Sequence, residues 1–227
     1  MKLIIATIRP WNIENAERFE QEHPAFDVDL ITDPDDLTAE RVRDHDPRYV
    51  FFPHWSWKIP DDVIDSSECV LFHMTDLPYG RGGSPLQNLI VRGNDNTKIT
   101  AFRGSRELDA GPVYMKEPLS LEGTAQEIYE RASDRIFFHM IPHLIEHEPE
   151  PEPQEGEVVE FERRTPEDGA LQPDFDLDQI YDYIRMLDAE GYPEAFLDFG
   201  NVRLRFSNAE KEDDRIVATV EFMERSS

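Results

Sequence analysis

His73 and Asp109 are the two residues whose types and settings suit proton transfer. His73 ends an isolated apolar run, CVLFH at 69–73, and Asp109 stands in an Asp-Ala-Gly-Pro turn within 107–115. A carboxylate beside an imidazole fixes the ring's orientation and favours its cationic form. Gly111, in the same turn, lets backbone come close to a ligand. Between the two lies a loop with Pro78, Gly80, Gly82, Gly83 and Pro85, the composition of a binding wall. Each residue also has a structural role open to it. A histidine at a strand end packs and hydrogen-bonds without any chemistry, and aspartate is common in such turns for local bonding.

Other side chains are weaker candidates. Trp55 and Trp57 are either plain core or a stacking wall for a flat ring. His139, His143 and His147 share a helical spacing compatible with a metal, but no acidic or cysteine partner stands at motif spacing, so a solvated face is expected. Cys69 is the single cysteine, which excludes an internal disulfide and a multi-cysteine metal site.

The elements that must position these residues read as an α/β fold. A β-branched run at 2–8 suits a first buried strand. Ile13, Ala16 and Phe19 mark a helix over 11–22, stopped by His23-Pro24. Strands are expected at 26–32, 48–52 and 69–73, with a helix at 38–46 capped by Asp35 or Asp36. Alternating strands and helices argue for a largely parallel sheet, whose ligand site lies beyond the carboxyl ends of the strands. Two such ends carry chemistry-capable residues: Pro53-His54-Trp55-Ser56-Trp57 and His73-Met74-Thr75-Asp76. A strand pair at 97–103 and 113–118 brackets the Asp109 turn. A helix over 124–147 opens on the capping pair Thr124 and Glu127, and Pro142 is expected to kink or end it. Residues 148–157, EPEPEPQEGE, read as an extended, solvated linker. It separates a catalytic domain at 1–147 from a small α+β appendage at 158–227, with a turn at 163–169, a helix at 176–188 and a hairpin of 201–206 with 215–222.

The net charge is −26, spread along the chain, and only five residues are lysine: Lys2, Lys58, Lys98, Lys116 and Lys211. This balance suggests adaptation to high salt, where self-repulsion is screened. It offers no basic stripe for a polyanion, which weighs against nucleic acid. The N-terminus shows no secretory signal and no apolar stretch approaches a membrane span, so a cytoplasmic protein is expected. The edges of an abbreviated sheet leave oligomerisation open.

Around His73 and Asp109 the chain resembles the 10-formyltetrahydrofolate-dependent formyltransferases. Their strand ending Asn-x-His, Ser-Leu-Leu-Pro loop, Arg-Gly-x-x-Pro-x-Gln segment and Leu-Asp-x-Gly turn stand here as Leu71-Phe72-His73, Thr75-Asp76-Leu77-Pro78, Arg81-Gly82-Gly83-Ser84-Pro85-Leu86-Gln87 and Leu108-Asp109-Ala110-Gly111. Trp57-Lys58-Ile59-Pro60 is similar to the segment that helps wall the pteridine. Arg163 to Gly169, Ile184-Arg185 and Tyr192 to Phe196 resemble the joint into the family's small, OB-like C-terminal domain. The resemblance implies a Rossmann-like sheet, 10-formyltetrahydrofolate as formyl donor and no metal. It implies His73 and Asp109 as catalytic residues, with His73 donating toward the oxyanion and Asp109 taking the amine's proton. It places the donor against Trp57, Ile59, Thr75, Asp76, Leu77, Pro78 and Leu108, and the acceptor against Arg81, Gly82 and Gln87. The acceptor expected is the primary amine of a nucleotide-linked amino sugar; methionyl-tRNA is the alternative, disfavoured by charge. Two departures stand out. The motif asparagine is Leu71, which neither donates nor accepts, with His54 and Asn88 as candidate substitutes; a catalytically impaired binding module is therefore a third reading. The region before His73 is also about one βα unit shorter than in the family.

Overall fold

In the computed structural model, residues 1–225 are described. The order is β1 (Lys2–Ala6), α1 (Pro10–Glu22), β2 (Asp27–Ile31), α2 (Ala39–His45), β3 (Tyr49–Pro53), α3 (Asp61–Ser66), β4 (Cys69–His73), β5 (Tyr79–Gly82), α4 (Pro85–Ile90), β6 (Asn96–Arg103) and β7 (Val113–Ser120). Then come α5 (Ala125–Arg135), α6 (Ile141–His147), β8 (Val159–Phe161), α7 (Leu177–Arg185), β9 (Ala195–Phe199), β10 (Val202–Lys211) and β11 (Ile216–Glu224).

A six-stranded sheet runs β2-β1-β3-β4-β6-β7. β2, β1, β3 and β4 are mutually parallel, and β6 lies antiparallel to β4 with His73 opposite Thr100. The sheet is thus Rossmann-like and largely parallel. The middle strands are apolar because both their faces are covered: Leu3, Ile4, Ile5, Val50 and Phe51 have no exposed surface. Each such side chain contributes roughly 1.5–3 kcal/mol relative to exposure. From β1 the chain turns one way to β2 and then crosses to β3 on the other side, so the strand order reverses between β1 and β3.

Helix ends follow local chemistry, with some differences from expectation. Pro10 opens α1, where its fixed φ and missing N–H are harmless. The cap of α2 is Thr38, whose hydroxyl accepts from the Arg41 amide; Asp35 and Asp36 instead lie in a short 3-10 turn capped by Asp33. The long helix does not run straight through Pro142. A π-helical turn, Ile136–Met140, precedes α6, which places the proline near the start of a helix rather than in an interior.

The compact units do not follow chain order. One comprises Met1–Gly82, Thr97–Leu119 and Glu130–Glu160; the other comprises Gly83–Asn96, Ser120–Tyr129 and the residues from Phe161 onward. The second unit holds an antiparallel sheet β11-β10-β9 with a register shift between Ser207 and Glu210. The expected hairpin is β10 with β11; β9, formed where GYPEAF ends, adds a third strand. Residues 148–157 are extended but not free. Glu152 and Val113 exchange backbone hydrogen bonds of 2.7 and 2.8 Å, pinning the stretch to β7. Among the described residues no helix is long and apolar enough to cross a membrane.

Candidate active site

His73 sits where β4 ends, between β3 and β6. Strand alternation puts Phe72 into the core and sends His73 and Leu71 to one face. The His73 Nε2 is 2.7 Å from the Gly80 carbonyl. A carbonyl only accepts, so Nε2 carries a proton and donates. The other ring nitrogen, Nδ1, faces Asp109 Oδ2 at 3.8 Å, with the two side chains 11% and 10% exposed.

Asp109 takes a left-handed conformation, φ 50°, which costs an ordinary L residue roughly 1–2 kcal/mol and is visited mainly by glycine, asparagine and aspartate. The turn around it is tight. A Cβ on Gly111 would come within 1.7 Å of the Arg103 carbonyl oxygen, so only glycine fits. The Arg103 amide donates to Pro112 O at 2.8 Å and holds the turn from the β6 side. The Gly82 amide donates to Asp109 Oδ2 at 2.9 Å. Among the described residues no hydrogen bond is made to Oδ1. From the other side, Gln154 Nε2 donates to Asp109 O and Gly111 O at 2.8 and 2.9 Å, and Gln154 Oε1 accepts from Arg81 Nη2 and Nε at 2.8 and 3.1 Å.

The loop after β4 is anchored from β6. The Thr100 hydroxyl donates to Thr75 O at 2.6 Å and accepts from the Leu77 amide at 3.4 Å. Thr75, Leu77 and Pro78 are buried. Asp76 pairs with Lys98 and Lys116 at 2.9 and 2.5 Å. Burial works against its charge, yet the hydrogen bonds from Lys116 and Lys98 prevail and hold its carboxyl below the usual range. Trp57 is 48% exposed and tilts against Trp55; Leu108 is 70% exposed. Ile59 is a core residue, packed with Val63 and Cys69.

Several side chains lie elsewhere or are occupied. Arg81 is held by Gln154 and lies 3.5 Å from Glu107. Gly82 gives its amide to Asp109. Gln87 is buried, its amide donating to the Tyr129 hydroxyl and Met186 O. The Asn88 amide donates to Gly83 O and Glu162 O, so it is spent inside the second unit. His54 directly follows the end of β3, whose last residue pairs in register with Phe72. Its imidazole is pushed down to about 3 by burial and then by the charge of Arg9. Leu71 packs with Trp55 and Ile64 against the core. His143 and His147 stack on each other at 4.2 Å.

Three contributors escaped the sequence reading. Gly80 acts through its carbonyl, which no side-chain motif reports. Thr100 is one threonine in a β-branched strand. Gln154 did carry a signal, being the one amide in a tract of prolines and acids.

The comparisons with known proteins converge. The family model described as "Methionyl-tRNA formyltransferase, C-terminal domain" matches residues 166–223. A solved structure titled "Methionyl-tRNA formyltransferase from Clostridium thermocellum" is 51% identical over 99% of this chain and all of that one, with a TM-score of 0.98. The chain belongs to the formyltransferase family. A curated methionyl-tRNA formyltransferase from Thermobifida fusca is 36% identical over 108 residues, 45% of this chain and 35% of that protein. Curated relatives of this kind are longer, and the chain spans 35–59% of their length. HypX from Aquifex aeolicus, solved in complex with tetrahydrofolic acid, shares the formyltransferase fold: TM-score 0.76 at 18% identity, over 92% of this chain and 38% of that one.

Proposed function

We propose that the chain transfers a formyl group from 10-formyltetrahydrofolate to a primary amine, and that the amine is that of methionyl-tRNA. The observation that carries this is the His73–Asp109 pair, held in a chain that matches the whole of a solved chain of that title at 51% identity. The residues suit a flat, amphipathic donor: Trp57 and Leu108 are large apolar side chains left exposed, and the anchored 75–78 loop supplies a rigid wall. The donor supplies the formyl carbon and leaves as a secondary amine.

The protein's own groups then have defined tasks. Asp109 Oδ1, which has no hydrogen bond among the described residues, accepts the proton that the attacking nitrogen must lose as the new C–N bond forms. The same proton returns to the departing nitrogen, so the carboxylate ends as it began. The Nε2–H of His73 is directed at Gly80 O; to serve the developing negative charge on the formyl oxygen, it must exchange that carbonyl for the substrate. This differs from a free imidazole waiting for an oxyanion. Positioning by the fixed turn supplies the rest.

A second reading has one specific observation behind it. The charge of −26 repels a phosphate backbone, which favours a small acceptor such as a nucleotide-linked amino sugar. The deciding experiment incubates the protein and donor with methionyl-tRNA and, separately, with a panel of aminosugar nucleotides, in low and high salt. Formylmethionyl-tRNA formed by the wild type and lost in Asp109→Asn supports the proposal. Formylation of sugar amines alone shifts it to the second reading. Donor binding with no amine formylated ends both.

A further inference from the structure

We propose that Gln154 is a positioning residue for the Asp109 carboxylate, and that the 148–157 tract exists to present it. This rests on Asp109 being the proton acceptor proposed above. The amide uses its whole bonding capacity in one place: both N–H groups go to Asp109 O and Gly111 O, and the oxygen takes two bonds from Arg81. Without it, the carbonyls of a turn kept left-handed at Asp109 and backed against Arg103 O would lose both of these bonds, leaving the Arg103 amide on Pro112 O and the Gly82 amide on Asp109 Oδ2 as the ties described above.

The tract is built for presentation. Prolines at 149, 151 and 153 fix φ at alternate positions and remove backbone donors, so the chain is stiff before it docks. Glu152 then locks to Val113 through two backbone bonds, one residue short of Pro153 and two short of Gln154. The amide is delivered with little entropy left to lose. A displacement of about 1 Å at a reacting group can cost about 10²-fold in rate, so a residue touching only the backbone of Asp109 can govern its chemistry.

The test separates two tasks of the one amide. Gln154→Glu keeps and strengthens the tie to Arg81 but replaces both donors, setting a carboxylate against two carbonyls. Gln154→Met keeps the bulk and loses all four bonds. Both are assayed with donor and the acceptor that the wild type formylates, alongside Asp109→Asn, with thermal melting and hydrogen exchange of the Gly82 amide, the group bonded to Asp109 Oδ2. The expected result is kcat lower by about 10–10²-fold in both, donor KM within about twofold of wild type, and faster Gly82 exchange, while both variants still melt cooperatively. If Gln154→Glu keeps wild-type kcat, the residue merely tethers Arg81 and the proposal is overturned. Unchanged Gly82 exchange in Gln154→Met overturns it as well, whichever acceptor is found and even if Gln154→Glu does not fold. If Asp109→Asn turns over like the wild type, the functional reading itself has failed, and the inference with it.

Discussion

Two parallel neighbours, β3 and β4, end in register, and each hands the chain to a histidine. His73 meets a carboxylate at 3.8 Å and the Gly80 carbonyl at 2.7 Å. His54 is left-handed, lies edge-on to Trp11 and feels the charge of Arg9, and its imidazole falls to about 3. The residue type is the same and the strand ends are adjacent. What differs is the sign of the neighbouring charge: a carboxylate faces His73, and the Arg9 guanidinium bears on His54. His54 stays neutral at neutral pH, an uncharged partner for whatever lies beside it.

The contrast breaks most visibly at Asp109. Asp109→Asn keeps a residue at ease in the left-handed turn and removes the carboxylate; kcat should fall by about 10²–10⁴-fold with donor binding retained, measured by steady-state turnover and donor titration. Gly111→Ala attacks the same turn sterically. A Cβ so near Arg103 O must push the turn away, which should cost about 1–3 kcal/mol in chemical denaturation and lower turnover too.

At the other strand end, acid stability is the probe. His54 has a folded-state pKa below its unfolded value, so between about pH 6.5 and 3 the unfolded chain binds the extra proton. Its neutral burial therefore contributes fully above pH 6.5 and is lost as pH falls toward 3. His54→Asn, which tolerates the same φ, should move the acid unfolding midpoint to lower pH, as followed by circular dichroism. A midpoint that stays put would mean the ring is not buried neutral.

Leu71→Asn sharpens the comparison from between the two ends. If the position still faces the formyl oxygen, the restored amide should raise kcat by up to about 10²-fold, at some loss of stability from a contact with the core. The smallest effect is ionic. Lowering salt should lower the melting temperature of a chain with 49 acidic residues, whereas the pH dependence of turnover should barely move, because buried pairs are screened less than surface charge.

Much of this was legible in the sequence. Apolar runs mark the buried strands β1, β3 and β4, and the residue types of His73 and Asp109, with the glycine- and proline-rich loop between them and the family resemblance, point to one site. What escaped depended on backbone rather than side-chain identity. The ring of His73 is bonded to a carbonyl, and the backbone of Asp109 to an amide from a tract whose composition reads as solvent-exposed. Proline and glutamate report stiffness and polarity but not whether a rod is docked; a double bridge at one residue settles that. The family resemblance sets Arg81 and Gln87 against the acceptor; in the fold Arg81 is bonded to Gln154, and Gln87 to Tyr129 and Met186. β9 was missed because its pairing with β10 is a tertiary event.

Cys69 has a practical meaning. It is the one thiol in the chain, it lies buried in β4, and burial, with Glu68 nearby, pushes it up to about 12. To a maleimide the native protein should behave as though it had no cysteine at all. A cysteine placed at Leu108, beside Asp109 and 70% exposed as leucine, would then be the single attachment point for a fluorophore. Such a dye would report directly on ligand arrival at the turn, with no background to subtract and no native residue to remove first.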